Sequence, residues 1–322
     1  MAILSVFTII ISSSCLMTHP QEHDRYLLAK GGFSPNTTRI LFSLQRSNES
    51  STNDVYLGIY DLLTRNGKYL FPITPNPFDY AWEPEKDAFV VTHGDRITFF
   101  ESKDSNGTYV GESVRCPVNF NYMYCSWSPD GNWLAVNAYN LVDASGNKLC
   151  LFNPATATFQ VTEIATGYHA PFWQDRNTLY VSDMNVIKEV KITSGVPQVT
   201  KTFNLRTEST WFYGIVGERP LTLYKNILQL GETELLTLDY SRRGAVLWTG
   251  TYIFVAQTQN NLVVFDDKGR EVCRTNPGQL IRFGSIGENL STVYGVAGNM
   301  LFHLSVQDNS IRIEKICDLS RF

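Results

Sequence analysis

YMYCSWSPDGNWLAV, residues 122–136, has the pattern of a strand, a tight turn and a second strand. Aromatic residues are concentrated up to Trp127, and apolar residues follow Trp133, as is typical of β-strands. Between these runs, Pro129 fixes φ at about −65° and Gly131 tolerates a positive φ, which are the backbone requirements of a tight turn. The stretch therefore predicts a β-hairpin.

Weaker copies of this hairpin recur along the chain, each with an aromatic residue, a turn and then an apolar strand. The aromatic residues that mark the copies are Phe33, Trp82, Trp127, Trp173, Tyr213, Trp248 and Phe283. Consecutive markers are separated by 35 residues (Tyr213 to Trp248) to 49 residues (Phe33 to Trp82). Repeats of roughly 40–45 residues with four short strands are typical of propeller blades. The sequence predicts an all-β fold, a single β-propeller with seven four-stranded blades.

The composition excludes several function classes. The chain has 322 residues, of which 43 % are hydrophobic and 13 % aromatic, enough for a large core. Its formal net charge is −4, and it contains no block of Lys or Arg. A nucleic-acid partner or an anionic membrane surface is therefore not expected. No segment keeps the apolar spacing of an amphipathic helix over three turns, so little helix is expected.

The first 25 residues are predicted to be a signal or lipoprotein-type leader and a tether. Residues 3–11 (ILSVFTIII) form an apolar run that is too short to span a bilayer but has the length of a signal-peptide core. Cys15 stands where lipoproteins carry an acylated cysteine, although Ser12 occupies a position that is usually Leu in such signals. We expect export to the periplasm, surface or exterior, with Cys15 as a candidate lipid anchor and residues 26–322 as the propeller. The alternative is a cytoplasmic protein in which the apolar run is a strand of the fold.

The hairpin resembles the repeat of TolB-like propellers, a WD-like (PD-type) repeat family. The resemblance is carried by CSWSPDGNWLAV (residues 125–136) and, partially, by FSPN (residues 33–36). It covers one blade well and two or three loosely, and from Tyr213 onward only the spacing is kept. The Trp-Asp dipeptide of WD40 repeats proper does not occur in the chain. The resemblance implies structural roles for the repeat residues Phe33, Trp82, Trp127, Asp130, Gly131, Trp173 and Trp248.

Motifs for catalysis, metal binding and phosphate binding are missing from the sequence. It has no Gly-x-Ser-x-Gly nucleophile turn and no glycine-rich phosphate loop. His19 and His23 lie four residues apart in the predicted tether, and the other three histidines are scattered. No catalytic residue, metal site or cofactor is therefore predicted.

The six cysteines form no Cys-x-x-Cys motif. Cys116 and Cys125 flank the crossing from blade 2 to blade 3 and could pair, and buried free thiols are the alternative. Cys273 and Cys317 fall in the outer strands of neighbouring blades, which diverge too far for a disulfide bond.

Five polar residues are candidates for a binding site. A propeller places the loops after second strands and the crossings between blades on one face, around the channel mouth. We call this the loop face. The candidates predicted to lie there are His93, Asp95, Arg96, His169 and Asp183. Two long polar loops, residues 45–54 and 139–147, are predicted to project beside them.

Two functions from different classes remain. The first is a non-enzymatic binding or scaffold module of the cell envelope or exterior, a monomeric propeller whose loop face holds a protein partner. The second is a propeller enzyme that acts on a small carbohydrate or lactone at the channel mouth. It would draw on the same five candidates, with His93 or His169 as a general base. The missing catalytic motifs favour the first.

Overall fold

The structure is a computed structural model that describes residues 9–10, 25–34, 38–47, 53–73, 79–103, 108–115, 120–142, 146–167, 169–183, 185–205, 211–238, 245–257, 261–286 and 290–322. It contains seven antiparallel blades of four strands each. Five blades are separate sheets, and a parallel bridge between Gly31 and Ala81 joins blades 1 and 2 into one larger sheet. The predicted all-β, seven-bladed propeller is confirmed.

The strands of the first three blades follow one another in sequence. Blade 1 contains β2 (Arg25–Phe33), β3 (Arg39–Ser47), β4 (Asn53–Asp61) and β5 (Asn66–Ile73). Blade 2 contains β6 (Asp79–Trp82), β7 (Ala88–His93), β8 (Arg96–Ser102) and β9 (Tyr109–Arg115). Blade 3 contains β10 (Phe120–Trp127), β11 (Leu134–Asn140), β12 (Lys148–Asn153) and β13 (Thr158–Ala165).

The remaining blades repeat the arrangement. Blade 4 contains β14 (Phe172–Trp173), β15 (Thr178–Asp183), β16 (Val186–Thr193) and β17 (Val196–Asn204). Blade 5 contains β18 (Trp211–Val216), β19 (Arg219–Tyr224), β20 (Ile227–Leu230) and β21 (Thr233–Thr237). Blade 6 contains β22 (Val246–Trp248), β23 (Tyr252–Ala256), β24 (Leu262–Asp266) and β25 (Glu271–Thr275). Blade 7 contains β26 (Arg282–Ile286), β27 (Thr292–Ala297), β28 (Met300–Gln307) and β29 (Ser310–Asp318), followed by a 3₁₀ turn (Leu319–Arg321).

Each aromatic marker lies in the first strand of its blade, either at the last position or inside the strand. The final residues of five first strands are Phe33, Trp82, Trp127, Trp173 and Trp248, and the four tryptophans are buried. Tyr213 and Phe283 lie inside β18 and β26. The indole N–H of Trp173 donates to the carbonyl oxygen of Ser126 at 2.9 Å, so it ties blade 4 to blade 3.

The hairpin of blade 3 has the predicted turn. The Ser128 hydroxyl accepts from the Trp133 N–H at 3.0 Å and donates to an Asp130 carboxylate oxygen at 2.7 Å. Gly131 has φ of +68°, a conformation that is costly for residues with a Cβ. Asp130 and Gly131 therefore hold the turn.

Buried side chains fill the junctions between neighbouring blades. Among the described residues, seven apolar clusters span the seven junctions, including that between blades 7 and 1. For example, Leu57 of blade 1 and Trp82 of blade 2 belong to one cluster, and Phe42 of blade 1 and Tyr294 of blade 7 belong to another. The stability of the ring therefore comes from packing between consecutive blades.

Blades 7 and 1 close the ring without exchanging a strand, because the four strands of each are contiguous in sequence. Near the centre, Gly284 lies so close to Leu28 that a Cβ on Gly284 would be 2.0 Å from the Leu28 Cβ. Farther out, Phe322 lies on Tyr60, with ring centroids 5.5 Å apart. The Tyr69 hydroxyl donates to the Leu319 carbonyl oxygen at 3.5 Å. The segment after β29 thus helps to hold the two blades together.

Most of the predicted leader lies outside the described residues. The short strand β1 (Ile9–Ile10) pairs antiparallel with β9, with Ile9 opposite Gly111. Cys15 lies outside the described residues, so the leader and its lipid anchor stay predictions. Within the described part of the chain, no helix is long and apolar enough to cross a membrane.

Cys273 and Cys317, on outer strands, were predicted not to form a disulfide bond with each other. Cys273 and Cys317 are free thiols on β25 and β29. Burial raises the pKa of Cys317 to about 11. Cys125 is buried, but Cys116 lies outside the described residues, so their pairing stays a prediction.

Candidate functional site

The strand order places all five predicted binding residues on the loop face. In a blade of four antiparallel strands, the connection between the second and third strands and the crossing to the next blade lie at the same end. The five residues at this end are His93 at the end of β7, Asp95 in the next turn, Arg96 at the start of β8, His169 before β14, and Asp183 at the end of β15. They form one group on blade 2 and another where blades 3 and 4 meet.

Two long loops, residues 45–54 and 139–147, were predicted on this face, and the first is shorter than predicted. The β3–β4 hairpin continues into it, because Gln45 pairs with Val55 and Ser47 pairs with Asn53. Polar residues can pair through their backbones in a hairpin, which composition alone does not indicate. The second loop begins after Asn140, the last residue of β11.

On blade 2, His93 belongs to a chain of hydrogen-bonded side chains. Its Nε2 lies 2.7 Å from the Thr98 hydroxyl, which lies 2.8 Å from the Ser113 hydroxyl. Burial, together with the nearby Arg96 guanidinium, holds the pKa of His93 below its ordinary value, although Asp95 opposes this shift. Near neutral pH, this imidazole therefore serves as an uncharged hydrogen-bonding group.

The low pKa of His93 makes stability dependent on pH. The unfolded chain takes up this proton below about pH 6.5, whereas the folded protein takes it up only at lower pH. We therefore expect the stabilising contribution to be complete above about pH 6.5 and to be lost as the pH falls toward the folded pKa. Melting temperatures of wild type and His93→Gln, measured from about pH 7.5 to 5, should converge at acidic pH. Parallel curves would contradict this assignment.

Where blades 3 and 4 meet, polar side chains hold the described part of the crossing segment, residues 165–167 and 169–170. The Asn137 side-chain amide donates to the carbonyl oxygens of His169 and of Gly167, the latter at 3.2 Å. The Lys188 ammonium donates to the Ala165 carbonyl oxygen at 3.1 Å and to the Asp183 carboxylate at 2.6 Å. Asp183 and Lys188 thus form an ion pair that fixes the crossing on the loop face.

In and around this crossing, three polar atoms are buried without a hydrogen-bond partner among the described residues. These atoms are Asn137 Oδ1, Thr166 Oγ1 and Ser182 Oγ. All three residues are at least 97 % buried, and the Gly167 N–H donates to the Ser182 carbonyl oxygen at 2.5 Å. An unsatisfied buried polar atom costs about 1–3 kcal/mol. The crossing is therefore the least well satisfied polar part of the described loop face.

Exposed apolar side chains lie next to this crossing. Trp211, the first residue of β18, is 38 % exposed, and its ring meets the His169 ring edge-on at 5.1 Å. On blade 3, Leu141 and Val142, which follow β11 on the same loop face, are 57 % and 78 % exposed. Their loop reaches the crossing through Asn147, whose carbonyl oxygen accepts from the Thr166 N–H at 3.2 Å. We call Leu141, Val142, His169 and Trp211 the Trp211 surface.

The opposite face of blade 4 has a shallow groove. It is lined by Asp175, Arg176, Lys191 and Ser194, in the turn after β14 and near the end of β16. The Asp175 carboxylate accepts from the Thr178 N–H at 2.8 Å and so serves as a turn cap. Across the described ranges, no cluster of His, Cys, Asp and Glu side chains has the arrangement of a metal site.

No protein-family model and no curated protein matches the chain. Solved structures do match it. Hsv2 of Kluyveromyces lactis aligns with a TM-score of 0.55 over 90 % of this chain and 98 % of its own, at 11 % identity. A chain from the crystal structure of the Mitotic Checkpoint Complex aligns with a TM-score of 0.51 over 70 % of this chain and 73 % of its own, at 12 % identity. The fold is a WD40-like propeller. At these identities the likeness concerns the fold alone.

Three features of this WD40-like propeller's loop face were not predicted from the sequence. Trp211 was not among the repeat markers, because the marker in its blade is Tyr213. Arg115 contacts the Asp95 carboxylate, but their proximity depends on the β8–β9 register. Asn137 lies inside the buried strand β11. A polar residue in such an apolar run was the sequence feature that could have indicated its role in holding the crossing.

Proposed function

We propose that this WD40-like propeller is a non-enzymatic scaffold that binds a protein partner through the Trp211 surface. The observation that carries the proposal is a large aromatic side chain, Trp211, exposed on the same face of a rigid scaffold as the exposed apolar side chains Leu141 and Val142. Tryptophan is enriched among the residues that dominate binding energies at protein interfaces. The Asp183–Lys188 ion pair supplies charged groups near this surface, as expected at an interface rim.

The fold neighbours are consistent with a scaffold role. One of them is a chain of the Mitotic Checkpoint Complex, an assembly of proteins. Loops on a rigid propeller place binding residues without disturbing the core. An enzyme that acts on a small carbohydrate or lactone stays the untested alternative.

Trp211→Ala is expected to weaken partner binding by about 2 kcal/mol or more, at least about thirtyfold, because it removes the largest exposed aromatic contact of the surface. Immobilised wild type and variant would be incubated with extract of the source cells, and retained proteins quantified by mass spectrometry. Val196→Ala is the matched control, since Val196 is 52 % exposed but lies at the opposite end of blade 4. A partner retained equally by wild type and Trp211→Ala would contradict the proposal.

We propose that this scaffold is located at the cell envelope or exterior. We further propose that it is monomeric and that it is a TolB-like propeller. The support is the apolar run of residues 3–11, the position of Cys15 and the hairpin of residues 125–136. The intact mass of the protein from its native host tests this location. A mature chain that begins at Cys15 with added acyl mass would support it, and an unprocessed chain that retains Met1 would contradict it.

A further inference from the structure

Two arginines lie directly opposite each other on the loop face of blade 2. Arg96 at the start of β8 pairs with Arg115 at the end of β9. Like charges in directly opposite positions of a sheet repel each other, so this pair requires a compensating group. The compensating group is Asp95, whose two carboxylate oxygens each lie 3.5 Å from the Nε of one arginine.

The compensation is incomplete. One carboxylate faces two guanidinium groups, which leaves one positive charge in this trio. The side chains of Arg96 and Arg115 are 36 % and 69 % exposed, and that of Asp95 is 54 % exposed. His93 adds no charge near neutral pH, because burial favours its neutral form. The trio is thus a solvent-accessible positive site on an otherwise acidic protein.

The donors of this site suit a planar anion. Both contacts to Asp95 engage Nε, and each guanidinium carries further N–H donors on its two Nη atoms. Guanidinium groups bind carboxylates through parallel N–H···O bonds. A single carboxylate would neutralise the remaining charge, whereas a phosphate dianion would reverse it. The charge balance therefore favours a carboxylate.

We infer that Arg96 and Arg115, held by Asp95, bind a Glu or Asp side chain in an acidic peptide segment of the partner. This inference rests on the proposed scaffold function, since it assigns the partner's chemistry. The trio and the Trp211 surface lie on the same face of the propeller, on blade 2 and around blades 3 to 5. One partner would place an apolar group on the Trp211 surface and an acidic segment on the trio.

The probe for this site is a short peptide of three glutamates with blocked termini. Arginine side-chain Nε–H signals of the full-length protein would be followed by ¹⁵N NMR during titration at constant ionic strength, and assigned with Arg→Gln variants. We expect saturable shifts for Arg96 and Arg115 and about a tenfold weaker affinity in Arg115→Gln. Arg176, on the opposite face, is the internal control and should not shift. Unchanged melting temperature would show that Arg115→Gln is folded.

Three results would overturn the inference. The first is a lack of saturable shifts at Arg96 and Arg115, and the second is an equal response at Arg176, which would indicate general charge screening. The third is a tighter response to inorganic phosphate than to the peptide. Trp211→Ala separates this test from that of the proposed function, since it should weaken partner capture while the peptide shifts persist. If partner capture depends on Trp211 but the peptide does not bind, the acidic-segment inference alone is wrong.

Discussion

Gly284→Ala is expected to lower the free energy of unfolding by about 3 kcal/mol or more, a large effect for one methyl group. The new Cβ would lie 2.0 Å from the Leu28 Cβ and 2.8 Å from the Leu28 Cα. The main chain of blade 1 would have to move, since a backbone atom cannot rotate away as a side-chain tip can. Chemical denaturation of wild type and variant would measure the change.

Gly217→Ala is the control for this prediction. Gly217 has φ of +62°, so a Cβ there is strained, but nothing lies within 4 Å of it. We expect a cost of about 1–2 kcal/mol from backbone strain alone. Equal destabilisation by the two substitutions would show that Gly284 has no special role at the junction of blades 7 and 1.

Leu319→Ala is expected to cost about 2–5 kcal/mol, because it leaves a cavity at the same junction. Leu319 is fully buried, and its N–H donates to the Asn299 carbonyl oxygen at 2.8 Å. It packs in the cluster that joins Tyr60 of blade 1 to Leu301 of blade 7. The change would be measured as a lower midpoint of denaturation.

Arg321→Ala, in the same 3₁₀ turn, is the matched control. Its side chain is 80 % exposed, so the expected change is within about 0.5 kcal/mol. A comparable loss of stability from both substitutions would contradict this prediction, because it would assign the stabilisation to the turn rather than to the buried Leu319 side chain.

The sequence was sufficient to predict the blades, because the repeat depends on local chemistry. Phe, Trp and turn residues recur at blade spacing, and the predicted marker Trp82 is the last residue of β6. Turn caps such as Asp130 act over two or three residues, so their role can be inferred without tertiary contacts. This is why the fold was predicted correctly although no family model matches.

The binding surface could be predicted only in part. His169 and Asp183 were placed on the loop face by strand order, but their partners Trp211 and Lys188 are set by tertiary packing and register. Arg115 likewise meets Asp95 through the alignment of β8 with β9. A one-residue shift of that register would turn the Arg115 side chain to the other side of the blade.

A second repeat signal was present in the sequence. An asparagine directly precedes the third strand in each of the last five blades: Asn147, Asn185, Asn226, Asn261 and Asn299. In four of these blades the asparagine carbonyl oxygen accepts an N–H from the residue that follows the fourth strand, at 2.6 to 3.2 Å. The signal therefore marks the turn that holds the end of the fourth strand in these four blades. It persists after Tyr213, where only the spacing of the TolB-like repeat is kept.

The central claim is that the partner binds the loop face at the Trp211 surface, and site-specific photocrosslinking tests it most directly. A photoreactive phenylalanine analogue would replace either Val142, on the loop face, or Leu63, in a turn on the opposite face. The two sites are matched, because both native side chains are 78 % exposed. After irradiation in the native host, we expect a crosslinked partner from position 142 and none from position 63. The same partner crosslinked equally from both positions, or from position 63 alone, would contradict the account.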